Sequence, residues 1–400
     1  MRTQWRDSTN SRPSRARVLA APVLISIAAL LGGCGSSAGA AATWSAVTAP
    51  LPAGATSGEL VGVSCPTSTT CFAVGDSSRG TIKTLVVRRN AGSSSWSVVA
   101  SPSPSGASSS RLAGIACPTS TACFAVGQSA GHALVDRWNG KVWTIVEVPQ
   151  PSEVRTSGLN GVACPGVTSC FAVGQFQDRS GPQKTLIERW NGTTWTIVSH
   201  PKLSGGNRYL FAVACGTSTS CFAVGTHSVT GGGELSCEPE LDCSATTLVE
   251  QWNGKHWTVV ASPNGPYPAL QSTLTGLSCA SATSCVVVGV ATPRGTWGTM
   301  LTERWNGKQW TIGSAAIPAG AVGSELYGVS CSTSTSCFAA GAYQTSTGAR
   351  TIVDHYNGSQ WSIARRPGVS GALRGVSCVS ATTCVAVGGR SIQQLGRSPT

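Results

Sequence analysis

Paired cysteines are the residues of this chain whose type and spacing most clearly predict chemistry. The segment LNGVACPGVTSCFAVG, at residues 159–174, has two cysteines separated by five residues, and closely similar segments recur along the sequence. Such a pair could bind a metal ion, take part in redox chemistry or form a disulfide. Zinc ligands are usually about two to four residues apart and redox cysteines about two, whereas cysteines that flank a short hairpin turn face each other at bonding distance. The spacing therefore favours a disulfide.

The cysteine count extends this prediction to the whole chain. Of the 17 cysteines, all except Cys34 fall into local pairs, as expected for an exported protein in an oxidising compartment. The predicted disulfides are Cys65–Cys71, Cys117–Cys123, Cys164–Cys170, Cys215–Cys221, Cys237–Cys243, Cys279–Cys285, Cys331–Cys337 and Cys378–Cys384. We expect no metal site and no cofactor.

Acidic residues recur at one position of a second repeated pattern. They are Asp136, Glu188, Glu250, Glu303 and Asp354. Because an active site is assembled once per domain, one acid per repeat indicates a hydrogen bond or an ion pair of the framework. No pair of carboxylates and no Ser/His/Asp set can be recognised, so we predict no catalytic residue.

A further group of acids lies in an insertion at residues 226–246. Glu238, Glu240 and Asp242 are enclosed by Cys237 and Cys243. A solvated surface loop is one interpretation, and a contact with a cation or a basic partner is the other. The spacing lacks the EF-hand pattern, which weakens the case for calcium.

Four strands per repeat are predicted to position these residues. Each cysteine segment contains two strands, and a following pattern such as TLIERWNGTTWTIV, from Thr185, contains two more. The Asn-Gly between the last two strands indicates a hairpin with a type I′ turn, in which both central residues have positive φ. The unit recurs about every 50 residues, and the chain has 48 Gly, 21 Pro and only 11% charged residues, which excludes helical repeats. Four antiparallel strands per repeated unit predict an all-β fold, the β-propeller.

The two ends of the repeat array predict how the ring closes. A lone fourth strand at Trp44–Val47 precedes the first complete unit, and the last unit has a short strand at Ser391–Leu395 but no second hairpin. An N-terminal strand that pairs with the last blade would leave no open sheet edge. We therefore predict one seven-bladed propeller over residues 42–396, followed by a tail at 397–400.

The G-x-x-W of the second pattern resembles the Asp-box of BNR and sialidase-like propellers, which has this motif at the turn between the third and fourth strands. The Asp-box acid would lie two residues before the glycine, where this chain has Trp138, Trp190, Trp252, Trp305 and Tyr356. The whole unit resembles secreted repeat proteins of high-GC Gram-positive bacteria over roughly residues 42–396. These resemblances imply a propeller fold and an exported location, but no reaction.

The N-terminus is predicted to be a targeting segment. Five arginines precede an apolar stretch from Val18 to Leu31, which is followed by Gly32-Gly33-Cys34. About 14 apolar residues are too few to span a bilayer comfortably, and the sequence before Cys34 resembles a bacterial lipobox. We predict a signal peptide at 1–33, lipidation of Cys34 and a flexible tether at 34–41. The alternative is an ordinary secretory signal with an incidental cysteine.

The distribution of charged residues argues against one class of partner. The chain has a formal net charge of +12, but the basic residues outside the leader are scattered, which argues against nucleic acid binding. We expect a monomer on the outer face of the bacterial cytoplasmic membrane, held there by its lipid. An envelope glycan or an envelope protein is the expected ligand.

Loop lengths indicate where a ligand would bind. The cysteine turns and the Asn-Gly turns hardly vary, whereas the connections from strand two to strand three and from strand four to the next blade differ widely. In an antiparallel blade these variable connections share one face of the disc, and loops on a rigid scaffold commonly carry function. The candidate ligand-binding residues of this variable face are Phe176, Arg179, Arg208, Tyr209, His227, Tyr267, Arg294, Trp297 and Tyr343.

The function predicted from these features is a binding or scaffolding module without catalysis. One alternative is a sialidase-like glycoside hydrolase, which a convergent cluster of arginines and carboxylates at the axial opening would favour. Another is a structural envelope protein, which an apolar patch along the outer strands would favour.

Overall fold

The computed structural model describes residues 42–179, 181–201, 203, 205–228, 244–265, 271–293, 296–365 and 368–396. These residues form 28 β-strands and no helix, and residues 41–400 cluster as one compact unit. Within the described ranges no helix is long and apolar enough to cross a membrane. The fold is the predicted all-β, seven-bladed propeller.

Each of the first three blades is an antiparallel sheet of four consecutive strands. Blade 1 has β2 (Ser57–Ser64), β3 (Phe72–Ser78), β4 (Ile82–Arg89) and β5 (Trp96–Val99). Blade 2 has β6 (Ser110–Thr119), β7 (Ala122–Ser129), β8 (His132–Trp138) and β9 (Trp143–Val146). Blade 3 has β10 (Val154–Gly166), β11 (Ser169–Asp178), β12 (Lys184–Trp190) and β13 (Trp195–Ile197).

The same order continues through blades 4 to 6. Blade 4 has β14 (Arg208–Thr217), β15 (Ser220–Ser228), β16 (Ala245–Trp252) and β17 (Trp257–Val259). Blade 5 has β18 (Gln271–Ser281), β19 (Ser284–Thr292), β20 (Thr299–Trp305) and β21 (Trp310–Gly313). Blade 6 has β22 (Gly323–Thr333), β23 (Ser336–Thr345), β24 (Gly348–Tyr356) and β25 (Trp361–Arg365).

The seventh blade is built from both ends of the domain, as predicted. It contains β26 (Gly375–Ser380), β27 (Thr383–Gly388) and β28 (Ser391–Gly396), and β1 (Thr43–Thr48) pairs with β28 in antiparallel register from Thr43↔Gly396 to Thr48↔Ser391. The ring of Trp44 packs on Phe338 of blade 6 at 5.9 Å. On the other side of the seam, Trp96 Nε1 of blade 1 donates a hydrogen bond of 3.3 Å to Gln394 Oε1 of blade 7.

Aromatic side chains hold neighbouring blades together. Phe124 of blade 2 contacts Trp190 and Trp195 of blade 3, with ring centroids 5.1 and 5.3 Å apart. Phe72, Phe171 and Phe222 make the equivalent pair of contacts with the blades that follow them. Because large buried rings in tilted and edge contacts contribute much of the packing energy of a core, the repeated tryptophans are framework residues.

Glycine allows the innermost strands to approach each other at the axis. A Cβ atom added to Gly114 would lie 2.8 Å from the carbonyl oxygen of Asn160 in the next blade. A Cβ atom added to Gly127 would lie 1.9 Å from the carbonyl oxygen of Arg111 on the paired strand. The Gly that ends the cysteine segment is therefore required by close backbone contact in every blade. The Gly two residues after the repeat Leu is favoured by the same contact in six blades, whereas blade 4 has Ala212 at this position.

One face of the disc is uniform and is stapled by disulfides. Seven of the eight predicted bonds are present, each across a β-hairpin with Cα atoms 3.9–4.1 Å apart, namely Cys65–Cys71, Cys117–Cys123, Cys164–Cys170, Cys215–Cys221, Cys279–Cys285, Cys331–Cys337 and Cys378–Cys384. Cys237–Cys243 and the acids between them lie outside the described residues. Seven disulfides in one domain indicate an oxidising compartment.

The Asn-Gly turns lie on the same face, but their predicted type was wrong. In blade 2 the hairpin closes at the pair Trp138↔Trp143, so the loop has four residues instead of two. Gly140 has a φ of 93°, whereas Asn139 is outside the positive region. Instead, Asn139 Oδ1 accepts hydrogen bonds from the amides of Lys141 and Val142, at 2.9 and 3.0 Å. This side-chain cap replaces the backbone geometry of a type I′ turn.

Candidate functional site

The first strands of neighbouring blades contact one another around the ring, so they surround its axis. We call the end of this axis on the variable face the axial opening. In blades 1 to 6 the pairing of this strand shifts register immediately after the repeat Leu, and such bulges re-aim side chains. The side chain after the Leu then reaches toward the next blade: Asn160 Nδ2 donates to the Leu210 carbonyl at 2.8 Å, and Thr275 Oγ1 donates to the Leu326 carbonyl at 2.6 Å.

Two ring positions at this opening differ from blade to blade. The residue before the Leu is Glu59, Arg111, Gly158, Tyr209, Thr273, Glu325 or Ala372 in blades 1 to 7. The residue after the Leu is Val61, Ala113, Asn160, Phe211, Thr275, Tyr327 or Arg374. The framework residues around them barely change, so variation is concentrated at the axis.

Four charged side chains form an arc across blades 7, 1 and 2. Arg374 Nε lies 3.1 Å from Glu59 Oε1, and both side chains are 45% exposed. Glu59 is the direct cross-strand neighbour of Asp76, and Asp76 Oδ2 lies 3.8 Å from Arg111 Nε. Burial raises the pKa of Asp76, Arg111 lowers it, and the nearby Glu59 raises it further. The two arginines thus stabilise a pair of carboxylates that would otherwise repel each other.

A tyrosine–carboxylate pair adjoins this axial arc. The hydroxyl group of Tyr327 donates a hydrogen bond of 2.5 Å to Glu325 Oε2, and the Arg374 guanidinium lies 4.9 Å from the centre of the Tyr327 ring. Burial raises the pKa of Tyr327, and the hydrogen bond to Glu325 raises it further. Tyr327 is therefore a neutral hydrogen-bond donor at neutral pH.

An aromatic pair lies on another part of the ring. Tyr209 and Phe211, both partly exposed, have parallel rings with centroids 6.0 Å apart and an interplanar angle of 7°. In neighbouring blade 3, Asn160 Nδ2 donates to Gln175 Oε1 at 2.6 Å. The axial opening thus combines charged, amide and aromatic groups.

The five repeated acids point away from this opening, into the contacts between blades. Asp136, Glu188, Glu250, Glu303 and Asp354 are fully buried. Burial raises the pKa of Asp136 and of Glu303 to about 7 and that of Glu188 to about 8.

Two of these acids have a partner on the preceding blade. Ser262 donates a hydrogen bond of 2.7 Å to Glu303 Oε2, and His200 Nδ1 lies 3.5 Å from Glu250 Oε2. All five acids are buried between blades, as framework residues are. However, the predicted hydrogen bond or ion pair is absent for Asp136 and Glu188 among the described residues.

Two of the predicted ligand residues lie together. Phe176 and Arg208 line one cavity between blades 3 and 4. Tyr209, the next residue, is at the axial opening, and His227 is the cross-strand neighbour of Arg208, with Nε2 3.3 Å from the Gly205 carbonyl.

The remaining predicted residues are not brought together with these. Arg179 lies on an exposed turn, and Trp297 is 64% exposed. Tyr343 is the cross-strand neighbour of Ser324 and Arg350. Its partly buried side chain packs against the hydrophobic cluster between blades 5 and 6. Tyr267 and Arg294 lie outside the described residues.

The axial residues were missed because the cysteine segments were interpreted as framework throughout. Glu59, Arg111, Glu325, Tyr327 and Arg374 all lie next to the repeat Leu. A signal was available, since these are the positions at which otherwise similar segments disagree. Within the described residues, no group of three His, Cys, Asp or Glu side chains is placed to hold a metal ion.

Comparisons with known proteins find similarity in structure alone. No family model and no curated protein matches the chain. Among solved structures, it is similar to YCF48 from Cyanidioschyzon merolae, with a TM-score of 0.53 and 13% identity over 89% of this chain and 99% of that one.

Two enzymes show a comparable likeness. Streptogramin B lyase has a TM-score of 0.54 and 10% identity over 88% of this chain and 97% of that one. A polysaccharide lyase, an ulvan lyase, has a TM-score of 0.54 and 11% identity over 86% and 96%. At these identities the likeness shows a β-propeller fold.

Proposed function

We propose that this chain is a lipid-anchored, extracytoplasmic binding protein whose axial opening, on the variable face, binds an envelope glycan. The observation that carries the proposal is the contrast between equivalent positions of the seven blades. The Leu, Gly and Cys residues of the inner strands repeat, while the residues on either side of the Leu differ and include half-exposed charged and aromatic groups.

The chemistry of the opening supports a sugar polymer. Arginine and carboxylate groups in partly exposed pairs can form charge-assisted hydrogen bonds with hydroxyl groups and with carboxylate substituents. Tyr209 and Phe211 offer ring faces on which the apolar face of a sugar ring can pack. Because the charges are already paired within the protein, they are held in place before a ligand arrives, which lowers the entropy cost of binding.

Calorimetric titration of residues 41–400 with purified envelope glycans tests the proposal. We expect saturable binding that Arg374→Ala and Tyr209→Ala each weaken at least tenfold. Lys308→Ala is the matched control, because Lys308 is exposed in an Asn-Gly turn on the uniform face. Binding that is absent for every glycan, or that survives both axial substitutions, would contradict the proposal, and binding of envelope proteins instead would assign the opening to a protein ligand.

The lipid anchor is a separate part of the proposal. It is supported by the apolar segment before Cys34 and by the disulfides, which require an oxidising compartment. Expression of the full chain in a bacterial host with labelled palmitate should give a lipid-labelled membrane protein, and Cys34→Ala should abolish the label. An unlabelled, freely secreted product would support an ordinary secretory signal.

Glycoside hydrolysis is the second candidate, and the Tyr327–Glu325 pair beside Glu59 and Asp76 is what favours it. Two facts weigh against it: Glu59 and Asp76 are each paired with an arginine, and the pKa of Tyr327 is raised, which disfavours an ionised nucleophile. Turnover of fluorogenic glycosides by residues 41–400, lost in Glu59→Gln and Asp76→Asn, would establish the enzyme.

A further inference from the structure

The contact between blades 3 and 4 contains a cavity of about 650 Å³ that opens on the variable face. Most of its wall is apolar and is formed by Phe176, Leu186, Ile197, Val198 and Leu203, with Pro151 and Pro201 at the margin. Cavities of this size with a mostly apolar wall and a few placed polar groups are typical of small-molecule sites.

The charged groups of the wall all have one sign. The cations Lys184 and Arg208 line the cavity together with the neutral or protonated ring of His200, and the lining includes no carboxylate. Lys184 is bound to Asp178 through its ammonium group, and His200 is held by Thr185 of blade 3, at 3.3 Å, and Glu250 of blade 4, at 3.5 Å. These two groups therefore already have partners.

Arg208 is different, because its charge is not compensated. It is only 8% exposed, yet within the described residues its guanidinium has no hydrogen-bond or ion-pair partner. Burial lowers the pKa of Arg208. The nitrogen atoms of its guanidinium are not among the polar atoms that are fully cut off from solvent. The group lines the cavity and is therefore open to a ligand that brings a counter-charge.

The framework does not require an arginine at this position. The residue two before the repeat Leu is Ser110, Ser157, Ser272 or Ser324 in four other blades, and all four serines are buried. Ser157 shows their role, since its hydroxyl accepts a hydrogen bond of 2.9 Å from the amide of Ala133 in the preceding blade. At the equivalent position of blade 4 the residue is Arg208, which lies in the wall of the cavity, instead of this structural serine.

We propose that the cavity between blades 3 and 4 is a second binding site, for a small amphipathic anion whose carboxylate or other anionic head binds Arg208. The apolar body of the ligand packs on Phe176, Leu186 and Leu203. The planar guanidinium binds a carboxylate, sulfate or phosphate through two parallel hydrogen bonds, so the shared requirement is one anionic head on an apolar body. The site is distinct from the axial opening, and it does not depend on the glycan proposal.

Titration of residues 41–400 with decanoate tests the proposal, with decanol and decyltrimethylammonium as the neutral and cationic probes of equal chain length. We expect decanoate to bind with a stoichiometry of one, and the other two to bind at least tenfold more weakly. Equal binding of decanol and decanoate would overturn the role of Arg208, and absence of decanoate binding would overturn the site.

Variants place the binding in this cavity. Arg208→Gln should weaken decanoate binding at least tenfold, while Lys255→Gln, at an exposed residue of the Asn-Gly turn of blade 4 on the uniform face, should leave it unchanged. Because a change at a buried residue can impair folding, Ser199→Trp provides a second route: Ser199 is exposed at the cavity, so the indole would block it without disturbing the core.

A matched control exists at the equivalent position of blade 5, where Ser314 is also exposed. Ser314→Trp should bind decanoate like the unmodified protein. Decanoate binding that persists in Ser199→Trp, or that is lost equally in Ser314→Trp, would refute the proposed location.

Discussion

Glu188 is a buried acid whose neutralisation should stabilise the protein at alkaline pH and leave it unchanged in acid. It lies on β12 between Leu186 and Trp190, two residues that pack against blade 2. Neither carboxylate oxygen has a hydrogen-bond partner among the described residues. In blade 7 the same strand position is occupied by Gln393, which is also fully buried. The fold therefore accepts an amide there, and Glu188→Gln is a conservative test.

The magnitude and the sign follow from the pKa of Glu188. Burial raises this pKa from 4.5 to about 8, and one unit corresponds to about 1.4 kcal/mol. Between these two values the folded state retains a proton that the unfolded state has released, so the free energy of unfolding falls as the pH rises. Below the unfolded pKa both states are protonated and the loss is absent. Glu188→Gln should thus gain up to roughly 4 kcal/mol at pH 8 and nearly nothing at pH 4.5.

Thermal unfolding at pH 4.5, 6 and 8 measures this effect. For a domain of this size, about 4 kcal/mol corresponds to a rise in Tm of roughly 5 °C. Gln393→Glu is the reciprocal variant and should be destabilised at pH 8 but not at pH 4.5. A Glu188→Gln effect of the same size at every pH would refute the reasoning, because it would show that packing, and not the ionisation of Glu188, determines the cost.

Three further predictions concern the framework. Deletion of residues 42–50 removes β1 and the contact of Trp44 with Phe338. The Tm should therefore fall much further than it does when an ordinary chain terminus is shortened. An unchanged Tm would contradict ring closure. Reduction with dithiothreitol should lower the free energy of unfolding by about 2 kcal/mol for each disulfide that is opened, in the chain-entropy model. Peptide mapping without reduction should recover only local disulfides. A long-range disulfide or a pair of free thiols would disprove the assignment. Ser64→Ala should lower the free energy of unfolding in denaturant by about 1 kcal/mol, because Ser64 Oγ accepts a hydrogen bond of 3.1 Å from the Cys117 amide of the next blade. The control is Ser68→Ala, at an exposed serine of the first cysteine turn, which should leave the stability unchanged.

The architecture could be predicted because its determinants are local and repeated. The two cysteines of each hairpin are close in sequence, so their pairing needs no knowledge of the tertiary fold. The closing blade could be identified because the strand at Trp44 is not preceded by the other strands of a blade, and because no second hairpin follows Cys384. Pairing these two ends leaves no open sheet edge. The Asn-Gly turns were predicted as hairpins correctly, but the type failed because the Asn139 side chain caps the loop itself.

The candidate site could be predicted only in part. The variable face was inferred from loop lengths, and Phe176 and Arg208 were found by their departure from the repeat. The arc of Arg374, Glu59 and Arg111 joins residues of blades 7, 1 and 2, two of which are more than 300 positions apart in the chain. No local pattern could bring these charges together.

The sequence by itself determined the repeated strands, the disulfide staples and the closure of the ring, because hydrophobic alternation, glycine and cysteine act over a few residues. Only the tertiary structure decided which variable residues lie together at the axis and in the cavity between blades 3 and 4. In blades 1 to 6 the bulge after the repeat Leu turns the following side chain toward the next blade. The packing of blade 3 on blade 4 places Arg208 in the wall of a cavity, without a side-chain partner among the described residues. Both outcomes depend on the distances between neighbouring blades, which no single repeat contains.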